Sequence, residues 1–448
     1  MSNKPICVFQ APLWTRSGYG DWAMAVAKSL VRYDKFDLHL IPTRWGGCNR
    51  KHLMNEVTDV EEKTLFSKIL RSQLPRQPEL YIQCSIPPEF QPLAKFNIGM
   101  TAGIETTVAK GDWIEGLNRM NMNIVTSVHS KNVLEGASYT KNTANQPPVQ
   151  LKSEKPMEVV FWGADTKVYK KTDESSPTID SVMSSIPEEF CFLFVGQWTS
   201  GNLFGDRKDI GNLIKTFSET FRNWKDINTR PALLLKTSGA AICNMDKYDM
   251  IAKVKAIREN IAGSPDKVNE LPNVYLIYGC LTDAEMNSLY NHKKVKVHTS
   301  FTHGEGYGHP LLLSSLSGKP LIVPNWSGHL DFLNPKFCKL LEGEVKQIPG
   351  ESVNEWLIAE SGWFNVNYNN AADAFKNVLY HHGAFVDKAE QLRIENEQKF
   401  SMESMDKVLH SVFDKYVPTF AVEQKLVLPK LKKVELPQLT KLTPPTAV

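Results

Sequence analysis

Short apolar runs alternate with amphipathic stretches along most of the chain. The runs PICVFQ, DLHLIPT, ELYIQCS, KFNIGMT, NIVTSV and MEVVFW have the length and continuous apolar character of strands buried on both faces. Between them, GDWAMAVAKSLVRY and SKNVLEGA carry the spacing of helices. A Ser-, Pro- and Asp-rich break, KTDESSPTIDSVMSSIPEE, precedes a second series of strands: FCFLFVG, PALLLKT, NVYLIYG, VKVHTS and PLIVPN. Helical patterns intervene again, as in KDIGNLIKTFSETFRNW and DAEMNSLYNH. Strand–helix alternation of this kind predicts parallel, doubly wound sheets. The fold class expected is therefore α/β, with two Rossmann-like domains facing across a cleft where the carboxyl ends of both sheets meet.

The boundaries follow from these shifts in pattern. A first domain spans 1–170, a linker 171–189 and a second domain 190–385. Helices over 386–417 return toward the first domain, and 418–448 form an extended tail. That tail interleaves Pro429, Pro437, Pro444 and Pro445 with Lys425, Lys430, Lys432, Lys433 and Lys441. It reads as a solvated or docked terminus, with contact to phosphate as the other reading.

Composition narrows the classes. The formal charge of +3 over 448 residues is far from a general nucleic-acid footprint. No apolar run reaches the roughly 20 residues that span a bilayer, and the N-terminus lacks a signal-peptide core, so no membrane anchor and a cytoplasmic location are expected. The seven cysteines are scattered without CxxC spacing and read as reduced core residues. Nothing in the sequence specifies an oligomeric state.

The chemistry concentrates in HTSFTHGEGYGHPLLLSSLSGKPLIVPNW, His298 to Trp326. A strand pattern leads through a glycine-rich loop into a short leucine-rich helix, with Pro310 near its start and Gly318 past its end. Gly304, Gly306 and Gly308 permit positive φ and close approach to a ligand, and a helix start offers N–H groups to an anion. Glu305 inside that loop would repel a phosphate but suits hydroxyl groups attached to one. A nucleotide sugar offers both. His298, His303, His309 and His329 crowd the same region without metal-ligand spacing, so no metal site is expected.

The run GEGYGHPLLLSSLSGKPLI resembles the C-terminal signature of the retaining GT-B glycosyltransferases of family 4, which include sucrose, glycogen and lipid-sugar synthases. FLFVGQWTSGNLFGDRKDIGNLIKTFSETF is similar to that family's first strand, basic pair and helix in the nucleotide-binding half. NIVTSVHSKNVLEGA and VVFWGADTKVY resemble segments closing its acceptor half, and the likeness covers most of residues 5 to 415. Two runs, NIGMTAGIETT and NWSGHLDFLNP, look most like glycosyltransferases of tailed bacteriophages.

The resemblance implies roles. Arg207 and Lys208 would neutralise the diphosphate leaving group of a nucleotide-sugar donor, with a UDP-sugar expected. Glu305 would hold sugar hydroxyls. The backbone of Gly306, Tyr307 and Gly308, with His309 beside it, would add donor contacts, and Gly18 and Gly20 of RSGYGDW would face the donor across the cleft. A solvated helix-start pair remains open for Arg207 and Lys208, and a plain turn for the two glycines. Retention would need no metal and no protein base. Three departures bear on the donor. Leu313 stands at the family's second glutamate, Gln197 stands where many members have arginine, and MTAGIETT lacks a histidine, leaving Glu105 as the nearest polar substitute. The phage likeness points to 5-hydroxymethylcytosine in double-stranded DNA as acceptor. The alternatives are a surface polysaccharide or lipopolysaccharide acceptor, or a non-catalytic nucleotide-sugar or glycan-binding module.

Overall fold

In a computed structural model, residues 4–420 are described apart from 51–59, 142–146, 199–203, 225, 227, 240 and 356. The expected basic tail beyond residue 420 lies outside the described residues.

The first sheet contains β1 (Ile6–Ala11), β2 (Asp37–Pro42), β3 (Leu80–Cys84), β4 (Phe96–Thr101) and β5 (Met122–Val125). After an antiparallel pair, β6 (Ser138–Lys141) and β7 (Val149–Lys152), the chain adds β8 (Met157–Val159). Its order is β2-β1-β3-β4-β5-β8, every pairing parallel. The second sheet runs β9 (Cys191–Val195), β10 (Ala232–Lys236), β11 (Val274–Ile277), β12 (Val295–Thr299), β13 (Leu321–Pro324) and β14 (Lys339–Leu341). These too are all parallel, in the order β11-β10-β9-β12-β13-β14. A separate antiparallel pair, β15 (Gly343–Gln347) and β16 (Gly362–Val366), follows.

Strand alternation distributes the core as a two-residue period requires. In β9, Cys191 and Leu193 pack on one face with Leu321 and Val323, while Phe192 and Phe194 enter an aromatic-rich core on the other with Phe217 and Phe375. In β1, Cys7 and Phe9 face the helix Gly18–Tyr33, whereas Ile6 and Val8 pack with Tyr81 on the opposite side. Burial on both faces explains why the strand sequences are continuously apolar.

Each sheet reverses its direction of strand addition once, between β1 and β3 and between β9 and β12. Such switch points open a crevice at the carboxyl ends of the strands. The second one is flanked by the loop after β9, which carries Arg207 and Lys208, and by the glycine-rich loop after β12.

Two regions differ from the sequence expectation. Residues 171–189 hold the helix Pro177–Ser184, whose Ile179 and Met183 are fully buried in the second domain's core. The segment is polar on its exposed side, which hides the two apolar anchors from a compositional reading. Of the seven cysteines, all free, Cys243 and Cys280 are exposed rather than in the core.

The chain crosses between domains at one place in each direction. Ala164 N–H donates to Phe400 O at 2.8 Å, and Met402 N–H donates back to Ala164 O at 2.9 Å. The helix Met402–Tyr416 then buries Met405, Leu409 and Phe413 against the first domain. Gly163 makes this crossing possible, since a Cβ there would lie 2.7 Å from Ser401 O and 2.9 Å from the Met402 backbone. Gly163→Ala is expected to destabilise the protein by about 1–3 kcal/mol, the usual penalty for overpacking. Denaturant unfolding of the two proteins measures it, and equal stabilities would show that the crossing tolerates a wider gap.

Candidate functional site

The loop that presents Arg207 and Lys208 is built by two buried acids. Asp206 accepts from Lys208 N–H at 3.0 Å and Ile210 N–H at 3.1 Å, fixing the start of the helix Ile210–Phe221. Asp209, at φ +52°, accepts from Tyr368 Oη and Asn212 Nδ2, both at 2.7 Å. Burial pushes both carboxyls up to about 7, with Asp206 raised further by Asp209. The basic pair thus projects from a turn held from beneath.

Both cations meet Glu305. Lys208 Nζ forms a hydrogen-bonded ion pair with Glu305 Oε1, and Arg207 lies 3.8 Å from Oε2 while donating to Gly304 O at 2.6 Å. Arg207 also pairs at 3.5 Å with Glu105, which comes from the first domain. Burial alone would raise the Glu305 carboxyl, but Lys208 and Arg207 outweigh it and hold it near about 2. Lys208 is lowered by its own burial, against the attraction of Glu305, whereas Arg207 is raised because Glu105 and Glu305 outweigh its burial. The sequence-predicted Glu305, Arg207, Lys208 and Glu105 therefore form one cluster across the domain interface.

The three loop glycines have different causes. Gly308 sits at φ +85° as the residue before the helix His309–Ser315, a conformation that favours glycine. Gly304 and Gly306 do not have positive φ, contrary to the sequence expectation. They are small because the first domain comes close: a Cβ on Gly304 would lie 1.8 Å from Glu105 O, and one on Gly306 would lie 2.5 Å from Ala102 O. Gly306 O accepts from Thr126 Oγ1 and Ser130 Oγ, each at 3.3 Å. Tyr307 turns its ring into the second domain's core beside Phe332. Among the described residues, the N–H groups of Gly306, Tyr307 and Gly308 make no hydrogen bond.

Across the crevice, Gly18 opens the helix Gly18–Tyr33 and is exposed, with Trp162 3.8 Å from its Cβ position. Gly20 faces inward instead: a side chain there would strike Thr15 Oγ1 at 2.3 Å and Pro12 O at 2.8 Å. Gly20 N–H is capped by Ser17 Oγ at 3.0 Å. His309 stacks on Trp162, ring centroids 3.5 Å apart and 10° between planes. Leu313, one turn on, lines a cavity of about 320 Å³ with Trp162, His309 and Asp21.

No family model matches the sequence, and no curated protein matches it. Solved structures do share its architecture. A glycosyltransferase from Rickettsia africae superposes with a TM-score of 0.58 at 12% identity, over 93% of this chain and 99% of that one. A sucrose-phosphate synthase from Thermosynechococcus elongatus gives 0.58 at 11% identity, over 92% and 98%. Anabaena HepE, solved with UDP and glucose, gives 0.55 at 11% identity, over 92% and 99%. The fold is GT-B. The Arg207–Lys208–Glu305 cluster lies at the second domain's switch point, and Gly18 stands on the first domain beside Trp162.

His298, His303 and His329 are held by contacts within the second domain. His298 meets Ser317 Oγ at 3.3 Å, and His303 donates to Phe364 O at 2.6 Å while stacking on Trp363. His329, fully buried beneath Gly308, donates to Pro324 O at 2.8 Å. Among the described residues, no cluster of side chains could hold a metal ion. Sequence reading passed over His129, which is set edge-on to Trp326 with ring centroids 4.8 Å apart. Burial, then His329, lowers its pKa to about 4, and its Nε2 has no partner among the described residues. It also passed over Asp206 and Asp209, although their flanking of the basic pair in DRKD was visible.

A carboxyl harder to ionise folded than unfolded keeps a proton between about pH 4 and pH 7 that the unfolded chain releases. The stability gained from Asp206 and Asp209 is therefore present below that interval and falls as pH rises through it. Asp209→Asn, which keeps an acceptor for Tyr368, is expected to flatten the decline in thermal midpoint across this range. Melting curves at four pH values test it, and an unchanged slope would mean that Asp209 stays ionised in the folded protein.

Proposed function

We propose that the chain is a nucleotide-sugar-dependent glycosyltransferase, with a UDP-sugar as the expected donor. The observation that carries this reading is the convergence of Arg207 and Lys208 on Glu305 at the second domain's switch point, beside the N–H groups of Gly306–Gly308. Two cations and a row of backbone donors suit a diphosphate, and the carboxylate between them suits the hydroxyls of the sugar it carries. Anabaena HepE, of the same fold, has been solved with UDP-glucose.

The chemistry follows from where charge grows. As the bond from the anomeric carbon to the diphosphate oxygen breaks, negative charge accumulates on that oxygen, and Arg207 and Lys208 stabilise it without a metal ion. An acceptor hydroxyl attacking from the leaving group's side bonds its oxygen to the anomeric carbon and passes its proton to the departing diphosphate. The outcome is retention, with no protein base required. Glu305, ionised at any pH above about 2, accepts hydroxyl hydrogen bonds throughout. The second domain takes the donor and the first the acceptor.

For the acceptor, the phage-like runs support the hydroxymethyl group of 5-hydroxymethylcytosine in DNA. The alternative acceptor is a surface polysaccharide or lipopolysaccharide.

Lys208→Ala is expected to lower kcat for transfer by about 100-fold, the usual cost of one charge-stabilising donor. The assay follows nucleoside diphosphate release from a panel of nucleotide sugars. Mass spectrometry of hydroxymethylated duplex DNA and of glycan acceptors identifies the product. Unchanged turnover in Lys208→Ala would overturn the placement of the phosphate site, and nucleotide binding without release from any donor would favour the binding module.

A further inference from the structure

The strand β16 holds two loops, one from each domain, along a single edge. Alternate residues of a strand turn their N–H and C=O groups the same way, and residues 362 and 364 use the edge that does not face β15. Gly362 meets the first domain in a reciprocal clasp: its N–H donates to Thr107 Oγ1 at 2.7 Å, and its C=O accepts from Thr107 N–H at 3.0 Å. Phe364 meets the glycine-rich loop: its N–H donates to His303 O at 3.0 Å, and its C=O accepts from His303 Nδ1 at 2.6 Å. His303 N–H in turn donates to Arg207 O at 2.8 Å, and Glu305 follows shortly after in the chain. A step of two residues along a strand is about 6.5 Å. That step therefore fixes how far the loop bearing Glu105, just before Thr107, stands from the loops bearing Arg207 and Glu305.

The clasp matters because the contact beside it is bare backbone. Gly304 and Gly306 approach Glu105 O and Ala102 O with no side chain to set the gap. Thr126 and Ser130 reach Gly306 O at 3.3 Å each, longer than either bond between Thr107 and Gly362. The segment leading into β16 bears on both sides of the same junction. Ser352 Oγ donates to Gly205 O at 2.9 Å, next to the basic pair, and Lys110 Nζ donates to Glu355 O. Thr107 itself is exposed, so its hydroxyl is not there to satisfy a buried core.

We infer that Thr107 is a positioning residue for glycosyl transfer: through Gly362 and β16 it sets Glu105 against Arg207 and so fixes the direction in which the guanidinium points. Arg207 meets Gly304 O at 2.6 Å and Glu305 at 3.8 Å on its own domain, and Glu105 at 3.5 Å on the other. With Glu105 displaced, the guanidinium is held from one domain only. A cation free to swing stabilises charge growing on a leaving oxygen less well than a fixed one. The inference rests on the glycosyltransferase reading above and adds to it a residue that acts through Glu105 and Arg207.

The test compares Thr107→Val, which keeps the shape and the backbone bond but cannot accept from Gly362, with Thr107→Ser, which keeps the hydroxyl. Turnover is followed as nucleoside diphosphate release from the nucleotide sugar that the wild type uses fastest. Thr107→Val is expected to lower kcat about fivefold, the usual worth of one hydrogen bond, with a donor KM no higher than that of the wild type. Thr107→Ser should restore kcat to within about twofold. Amide exchange of the full chain reads the clasp without turnover, and Gly362 N–H should exchange about fivefold faster in Thr107→Val. Equal kcat in Thr107→Val and wild type, a donor KM that rises as kcat falls, or no rescue by serine overturns the positioning role and leaves the glycosyltransferase reading standing. Unchanged exchange at Gly362 overturns it too. No release from any donor by the wild type overturns both.

Discussion

The Glu305 carboxylate, held between Lys208 and Arg207 where the two domains meet, is the contact on which the rest of the site depends. An ionised carboxylate is stable in a largely dry place only with close, well-directed cations. Here it has two, and Arg207 is itself shared with Glu105 of the opposite domain. One electrostatic unit therefore sets the position of the glycine loop, orients the basic pair and links the domains. Its strength comes from the buried acids beneath it, because Asp206 and Asp209 fix the turn from which both cations project. Each element of the cluster is positioned by something that is not part of it.

The balance of charge within this unit matters for what it can bind. Two carboxylates face two cations, so the cluster is close to neutral as it stands. A diphosphate entering beside it competes for Arg207 and Lys208 against Glu105 and Glu305. The sugar it carries gives Glu305 replacement hydrogen bonds, which a bare phosphate does not. On the proposed reading, the arrangement would discriminate between a phosphate bearing a polyol and one without, through the desolvation cost of a carboxylate left unpaired.

Much of this was legible in the sequence. The strand runs and helical spacings placed both doubly wound sheets because parallel strands buried on two faces leave an unbroken apolar signature. Glu305 stood out as a carboxylate inside a glycine-rich loop suited to an anion, and Arg207 and Lys208 through the resemblance of the run that carries them. What escaped has physical causes. β15 is exposed along its whole length and has Val345 as its one apolar side chain, and β14 is three residues long. The helix in 171–189 shows two apolar anchors among serines and acids. His129 reaches the interface from a segment remote in sequence, and Trp162 does so from the crossover, so neither had a local pattern to mark it.

The close packing of Gly304 and Gly306 has a different cause from the one their sequence suggests. Gly304 and Gly306 were expected to make room for a ligand, yet what occupies that room is the backbone of Ala102 and Glu105. The same two positions thus answer to domain contact, and Gly308 alone of the three to a left-handed backbone. Any side chain at 304 or 306 would wedge the domains apart before it touched a donor. The N–H groups of residues 306–308 keep their aim only while Thr126 and Ser130 hold Gly306 O from the first domain. On the proposed reading, presenting donors to an anion and joining the domains are therefore one property of this loop, and a change that damages the domain contact would also misdirect the donors.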